Sequence, residues 1–354
     1  MEKIKNFFKT KWKFIVIAVV ALLLIAVLAA VLFVNGLLGN ITYDDPYRKS
    51  SQSGDIINDS SVNVNSVDAK DFADEQIHTV DGDSTKDSIK KWCESGTVAS
   101  SKDVINILLM GMDNSSIKYN SRADSMMIAS INTKTGQITL ASILRDQYAY
   151  VNSRSIKFEK MHHALVRGGP AKQIEVIEAH YKVQIDNYIL VNFTSFKSII
   201  DKLGGVTINL TSAEAKVLGM SAGEQLLNGT KALEYSRIRY IDTDVARTGR
   251  QQKVIEAIIQ KARGASLVEL TQVISELLQY VRTGMSKSEI LGYATEAFTS
   301  GWFGYDIVHY CAPGENYRKG GFKGDIWYWT VNYPRAAQEL QMTLYGRTNI
   351  VIDE

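Results

Sequence analysis

The chain is 354 residues long, 45% hydrophobic and 22% charged, with 40 Lys and Arg against 38 Asp and Glu. This composition excludes a wholly disordered chain, a collagen-like fibre and a disulfide-dense miniprotein; the length suits one large domain with accessory segments. Overall charge nearly cancels, so only its distribution along the chain is informative.

Residues 1–13 carry five Lys against one Glu, and Phe14–Val34 is an unbroken run of 21 apolar residues. At about 1.5 Å per helical residue the run spans roughly 30 Å, the hydrocarbon thickness of a bilayer. It also exceeds the ~7–15 residues of a cleavable signal core. The sequence therefore predicts a cytoplasmic tail over 1–13 and a transmembrane signal anchor over 14–36, with the remainder outside the cell by the positive-inside rule. Residues 37–100 are expected to form a solvated stalk, since 39–100 hold 12 acidic and 6 basic side chains among many Ser, Asn and Thr. Within it, an amphipathic piece around Asp87–Trp92 is expected to dock on a folded body. The two cysteines, Cys93 and Cys311, match neither a zinc cluster nor a CxxC motif. Outside the membrane they form either one disulfide or two free thiols.

From Val104 the pattern changes. Val104–Met110 reads as a buried strand ended by Gly111, and 125–132 and 137–144 as strands joined by the hairpin turn Thr133–Gly136. Helical periodicity with Pro at its start covers 170–182. A strand at 188–193 leads to a helix at 194–203 with Thr194 as N-cap and Gly204-Gly205 as stop. A strand follows at 206–210, then helices at 247–263, 267–281, 286–298 and 334–345. Strands interleaved with helices predict an α/β layered domain around one core.

The hairpin permits a geometric inference. If its turn centres between Lys134 and Thr135, paired residue numbers sum to 269, which sets Asp124 opposite Arg145 with Cβ atoms roughly 5 Å apart. Asp113, just past the first strand, and Arg122, two residues before Asp124, are expected at the same sheet end. Two Asp and two Arg there make a candidate site for a metal and an anion. Taken alone, the Asp124–Arg145 contact has a plainer explanation as an ordinary cross-strand ion pair. A second cluster holds Arg237, Arg239, Arg247, Arg250 and Lys253 within 17 residues. Arg247 and Gln251 share a helical face in the first turns of a predicted helix, where the dipole disfavours a cation but favours an anionic ligand. Arg is also the side chain suited to bidentate phosphate contacts. Salt bridges to Asp242 and Asp244 are the alternative use of the cluster. GxSxG, GxxxxGK[ST], HExxH and a strand-linked GxGxxG are all missing. The adjacent His162 and His163 are expected to pack within a loop.

Six stretches in order carry a family resemblance: INILLMGMD (105–113), SRADSMMIASIN (121–132), SILRD (142–146), EKMHHALVRGG (159–169), IDNYILVNFTSFKSIIDKLGGVTI (185–208) and LNGTKALEYSRIRYIDTDVARTGRQQKVI (227–255). With them the chain resembles the LytR-CpsA-Psr family of bacterial cell-wall glycopolymer ligases. The resemblance implies an α/β/α domain with a central mixed sheet, its catalytic core over 101–264 and a helical C-terminal part over 265–354. It implies an apolar tunnel for a polyprenyl chain and a charged mouth for the pyrophosphate. The implied activity attaches a phospho-glycan, such as teichoic acid or capsule, from a polyprenyl pyrophosphate carrier to a peptidoglycan acceptor, with Mg²⁺ or Mn²⁺ as cofactor and no nucleic acid partner. By position, Asp113 and Asp124 are the implied metal ligands, and Arg122 and Arg145 the pyrophosphate and transition-state contacts. Lys160, Arg237, Arg239, Arg247 and Gln251 are the remaining pyrophosphate set, to which the Arg cluster adds Arg250. Asp113 and Asp146 are alternative proton acceptors. Leu144 departs from the family, which commonly has Pro there; Pro restrains φ and Leu does not. A polyprenyl-pyrophosphate hydrolase and a non-catalytic polyprenyl-lipid-binding regulator of the envelope are the rival functions.

Overall fold

The computed structural model describes residues 42–43, 65–68, 83–112, 121–263 and 266–353. The expected cytoplasmic tail, the expected membrane span and Asp113 lie outside the described residues. Among the described residues no helix is long and apolar enough to cross a membrane.

In chain order the strands are β1 (Thr42–Tyr43), β2 (Asn65–Asp68), β3 (Val104–Met112), β4 (Ala123–Asn132), β5 (Gln137–Ile143), β6 (Tyr148–Tyr150), β7 (Phe158–Lys160), β8 (Asn187–Asn192), β9 (Val206–Leu210), β10 (Gly223–Leu227), β11 (Arg282–Thr283), β12 (Asp306–Ala312), β13 (Arg318–Lys323), β14 (Ile326–Val331) and β15 (Ile350–Asp353). The helices are α1 (Asp83–Glu94), α2 (Ala164–Tyr181), α3 (Phe193–Lys202), α4 (Ser212–Leu218), α5 (Gly229–Ser236), α6 (Asp244–Ala262), α7 (Leu267–Leu277), α8 (Lys287–Thr299) and α9 (Tyr333–Tyr345).

Seven strands form one mixed sheet in the order β1-β11-β8-β3-β4-β5-β12. β3, β4 and β5 run antiparallel, while β8 and β12 join the two sides of that meander in parallel. Because side chains alternate along a strand, an apolar run such as β3 buries both faces. Leu108 and Met110 face one core with Ile174 and Ile177 of α2 and Leu340 of α9. Ile105 and Leu109 face the other, with Ile255 and Ile259 of α6 and Trp302. The layering is α/β/α, as expected. A separate core gathers Ile200, Ile208, Leu218, Tyr235 and Val254 from α3, β9, α4, α5 and α6.

The folded body begins before residue 100, where the stalk was expected to end. α1 buries Ile89 and Trp92, and the Trp92 Nε1–H donates to the His180 carbonyl at 2.8 Å. Lys182 Nζ lies 5.0 Å over the Trp92 ring and donates to the Ser95 carbonyl at 2.5 Å. Burial pushes that ammonium down to about 8. Residues 265–354 are likewise more than helical. β11 and β12 belong to the central sheet, which is therefore incomplete within 101–264. β12 left no period in the sequence because it is an edge strand with most of its side chains partly or fully exposed.

Smaller corrections have local causes. α2 starts at Ala164, but Gly168 and Gly169 leave helical dihedrals, so Pro170 opens a second segment where its fixed φ is tolerated. α3 is capped by Asn192, whose Oδ1 accepts the Ser195 N–H at 2.8 Å, and not by Thr194. Cys93 and Cys311 are free thiols, each pushed up by burial.

Trp92→Ala is expected to cost about 3–5 kcal/mol in urea unfolding, the usual penalty for emptying a buried indole site. A loss below about 1 kcal/mol would detach α1 from the folded body.

Candidate active site

Between the sheet and α6 lies a cavity of about 320 Å³. One face of α6 changes character along its length: Arg247 and Gln251 line the cavity first, then Val254, Ile255 and Ile258 at helical spacing. Leu109, Met127, Ile189, Phe196 and Val281 complete the apolar walls. Among the described residues, the charged lining consists of Arg145, Arg237, Arg239 and Arg247 with the carboxylate of Asp124.

The β4–β5 register pairs Met127 with Ser142 and Asn132 with Gln137, so paired numbers do sum to 269. Asp124 meets Arg145 as that sum requires, with Oδ1 2.6 Å from Nη1. The opposite edge of β4 holds a feature with no sequence signal. Gly111 pairs with Ser125 and Met112 with Ala123, which leaves Asp124 as the extra residue of a β-bulge. Both Asp124 and Ser125 consequently line the cavity, where regular alternation would separate them. Ser125 Oγ donates to Gln251 Oε1 at 2.9 Å, tying β4 to α6. Ser125, Ser236 and Phe193 are lining residues that the motif reading missed. The Phe193 ring carries the Arg237 guanidinium 4.3 Å from its centre.

Arg145 is held from behind as well as across the hairpin. Asp146 Oδ2 is 3.4 Å from Arg145 Nε, and Asp146 Oδ1 is 2.8 Å from Lys160 Nζ. Burial opposes the Arg145 charge, but Asp146, Asp124 and Asp244 outweigh it and raise the net affinity for the proton. Burial likewise pushes the Asp146 carboxyl up, and Lys160 and Arg145 reverse this, leaving it below the usual carboxylate range. His162 is buried and pushed down to about 4, chiefly by burial; as a neutral ring it donates from Nδ1 to the Arg145 carbonyl at 2.8 Å. The Leu144 N–H donates to the Ala312 carbonyl at 2.9 Å, so β12 steadies the backbone before Arg145 through a bond that Pro could not make.

The loop between α5 and α6 places the remaining arginines. Arg250 is buried and does not line the cavity. It grips Asp242 through both Nη atoms, at 2.6 and 2.9 Å, and the Ile238 carbonyl at 2.9 Å. It therefore closes the loop that carries Arg239, helped by the left-handed Tyr240 at φ 71°. Arg247 pairs with Asp244 at 2.8 Å but is pushed down by burial and by the charges of Arg145 and Arg239. Its Nε is buried without a hydrogen-bond partner. Arg122 is exposed and lies outside the lining, as do Asp146 and Lys160 behind Arg145. The structure thus brings together Asp124, Arg145, Arg237, Arg239, Arg247 and Gln251.

A buried cation held against its neighbours destabilises the empty site. Arg247→Met is therefore expected to raise Tm of the ligand-free protein by calorimetry; a lower Tm would make Arg247 a structural ion pair. His162 and His180 are kept neutral to about 4 and about 3. The unfolded chain protonates near 6.5, so between about 6.5 and 4 it binds more protons than the fold, and stability falls as pH falls. His162→Gln should flatten this acid loss in urea unfolding; an unchanged slope would mean His162 is charged in the fold.

The LytR_cpsA_psr family model matches residues 63–339. The polyisoprenyl-teichoic acid–peptidoglycan teichoic acid transferase TagU of Bacillus licheniformis is 37% identical over 173 residues, covering 48% of this chain and 55% of that protein. The chain thus spans about half the length of this curated relative. Among solved structures, TagT bound to LIIa-WTA gives a TM-score of 0.57 at 22% identity, over 70% of this chain and 91% of that one. TagT with bound octaprenyl pyrophosphate lipid gives 0.54 at 20% identity, over 70% and 91%. At these identities the likeness to solved structures concerns the fold alone. The sequence match spans both the sheet and the arginine-lined cavity, and on that extent the chain belongs to the LytR_cpsA_psr family.

Proposed function

We propose that the protein is a membrane-anchored, extracytoplasmic phosphotransferase that moves a phospho-glycan from a polyprenyl pyrophosphate carrier onto peptidoglycan. The cavity's composition carries this reading: among the described residues, apolar walls end at four arginines and the carboxylate of Asp124. The complementary ligand is an amphiphile with a long hydrocarbon chain and a multiply charged phosphate head. The activity in TagU's name and the octaprenyl pyrophosphate in TagT are of the same chemistry. The run Phe14–Val34 supports anchoring from the cytoplasmic side.

In the reaction the acceptor hydroxyl oxygen forms a bond to the phosphorus that bears the glycan, and its proton goes to the oxygen of the departing phosphate. The bond from that phosphorus to the bridging oxygen breaks, and polyprenyl phosphate leaves. Arg145, Arg237, Arg239 and Arg247 face the phosphoryl oxygens where charge develops, with Arg145 and Arg247 held by Asp124 and Asp244 before substrate arrives. Asp146, bound by Lys160 and Arg145, is a positioning group for Arg145 and a poor proton acceptor. Asp124 fits Mg²⁺ as one of its few protein ligands, since it faces the cavity with a partly exposed carboxylate and Arg145 occupies its Oδ1. Held there, Mg²⁺ would supply neutralisation of the charge that develops on the phosphoryl oxygens and on the departing polyprenyl phosphate.

The full chain, incubated with Mg²⁺, polyprenyl-pyrophosphate-linked glycan and peptidoglycan fragments, is expected to yield glycan joined to peptidoglycan through phosphate. Free phospho-glycan with unmodified acceptor would replace the transferase by a hydrolase, and bound lipid without turnover by a binding protein. Asp124→Asn should abolish turnover and its Mg²⁺ dependence. Arg237→Ala with Arg239→Ala should weaken octaprenyl pyrophosphate binding by about a hundredfold, two charge-assisted contacts at roughly tenfold each. Unchanged affinity would make both arginines structural.

A further inference from the structure

β13 and β14 form a two-stranded hairpin outside the central sheet, and their register sorts side chains onto two faces. One face packs on the body. Tyr328 is buried there, edge-on to Tyr148 at 5.3 Å, with Lys160 Nζ 5.4 Å from its ring. The opposite face carries Arg318, Phe322, Trp327 and Trp329; its inner end is anchored by the buried Val331 and by Trp329, which packs partly against the main core, so that Phe322 and Trp327 form its open part. Phe322 is 69% exposed, while Trp327 and Trp329 are half-buried and meet at near right angles, 4.6 Å between centres. Gly320 makes room for this arrangement, since a Cβ there would come within 2.7 Å of the Trp327 ring. The Arg318 guanidinium lies 5.3 Å over the Trp329 ring.

Short contacts fasten this hairpin to the elements that carry the cavity arginines. The Trp329 N–H donates to the Asp146 carbonyl at 2.9 Å, and Gln147 bridges to Trp329. Asp146 is the residue that backs Arg145. On the other side, Arg318 Nη1 donates to the Pro313 carbonyl at 2.5 Å and lies 3.8 Å from Cys311 Sγ. Cys311 Sγ is in turn 3.9 Å from Thr248 Oγ1, next in the chain to Arg247.

We infer that the exposed face of β13–β14 binds the acceptor polysaccharide and leads it toward Arg145; the inference rests on the transferase reading. Half-exposed aromatic rings present flat apolar area with polar edges, the surface that the apolar face of a pyranose ring covers. On this face the Arg318 guanidinium supplies positive charge complementary to the carboxylates of a peptide-bearing glycan, while Lys319 and Lys323 project from the other face, Lys323 toward the Tyr148 ring. A bilayer would cover the same apolar residues, but the turn that joins Phe322 to Ile326 contains Asp325. Inserting that tip would carry a carboxylate into hydrocarbon, whereas a saccharide offers it hydroxyl donors.

The test uses the full chain in detergent, sedimented with purified peptidoglycan sacculi stripped of attached polymers. Phe322→Ser, at an exposed site that leaves folding untouched, and Trp327→Ala should each reduce bound protein about tenfold, as for a central aromatic contact. Both should raise KM for the acceptor and leave octaprenyl pyrophosphate affinity unchanged. Unaltered sedimentation of both variants would overturn the inference. So would quenching of Trp327 emission, taken as wild type minus Trp327→Ala, in phosphatidylglycerol proteoliposomes with brominated chains, which would make the hairpin a membrane contact. Sedimentation needs no turnover, so loss of binding in the variants of a chain that transfers nothing would retain the saccharide face while removing the transferase reading.

Discussion

The Arg145 guanidinium has to stay charged at a largely enclosed strand end, and much of the site follows from how that is achieved. Burial alone would favour its neutral form, and an unpaired charge there would cost about 3–5 kcal/mol. Asp124 reaches it across the β4–β5 hairpin, and Asp146 backs it from its own strand end. Lys160 then holds Asp146, and the neutral His162 ring holds the Arg145 carbonyl. The bulge at Asp124 is what lets one carboxylate face both Arg145 and the cavity. Removing any member would leave a buried partner unsatisfied, so these residues act as one unit.

The other arginines follow a different logic. Arg145 is compensated by carboxylates, but among the described residues the cavity lining holds more positive than negative charge. Arg247 is the clearest case, crowded by Arg145 and Arg239 within the first turns of α6. The helix N-terminus adds to the positive potential there. Such an arrangement sacrifices stability in the empty protein to gain affinity for an anion. Arg250, only three residues along the same helix, is paired with Asp242 and Glu214 and serves as the loop's fastening. One turn of helix thus separates an arginine facing the cavity from one that holds the scaffold.

Segments distant in sequence complete this centre. β12 pairs with β5 and accepts the Leu144 N–H, supplying through a hydrogen bond some of the restraint that a proline ring would impose at that position. α1 is bound by Trp92 and Lys182, which extends the folded body toward the N-terminal segment expected to carry the anchor. The β13–β14 hairpin rests on Asp146 and is fastened through Arg318 near the start of α6. Its position links the cavity to an aromatic surface outside it.

Local chemistry made part of this legible. The TKTG turn determined the hairpin register, and with it the Asp124–Arg145 contact, because turn type and loop length fix which residues pair across a hairpin. The helical spacing of Arg247, Gln251, Val254, Ile255 and Ile258 determined a face that grades from cationic to apolar. Tertiary structure decided the rest. Whether Arg247 or Arg250 faces the cavity depends on which finds a carboxylate across the loop, and the two have equal claims by residue type. The bulge that exposes Ser125 arises between strands and leaves no mark on either alone. The docking piece around Asp87–Trp92 was legible as the core of α1, but β12 was hidden because an edge strand buries only a few side chains, and the packing of those few is settled by partners far along the chain.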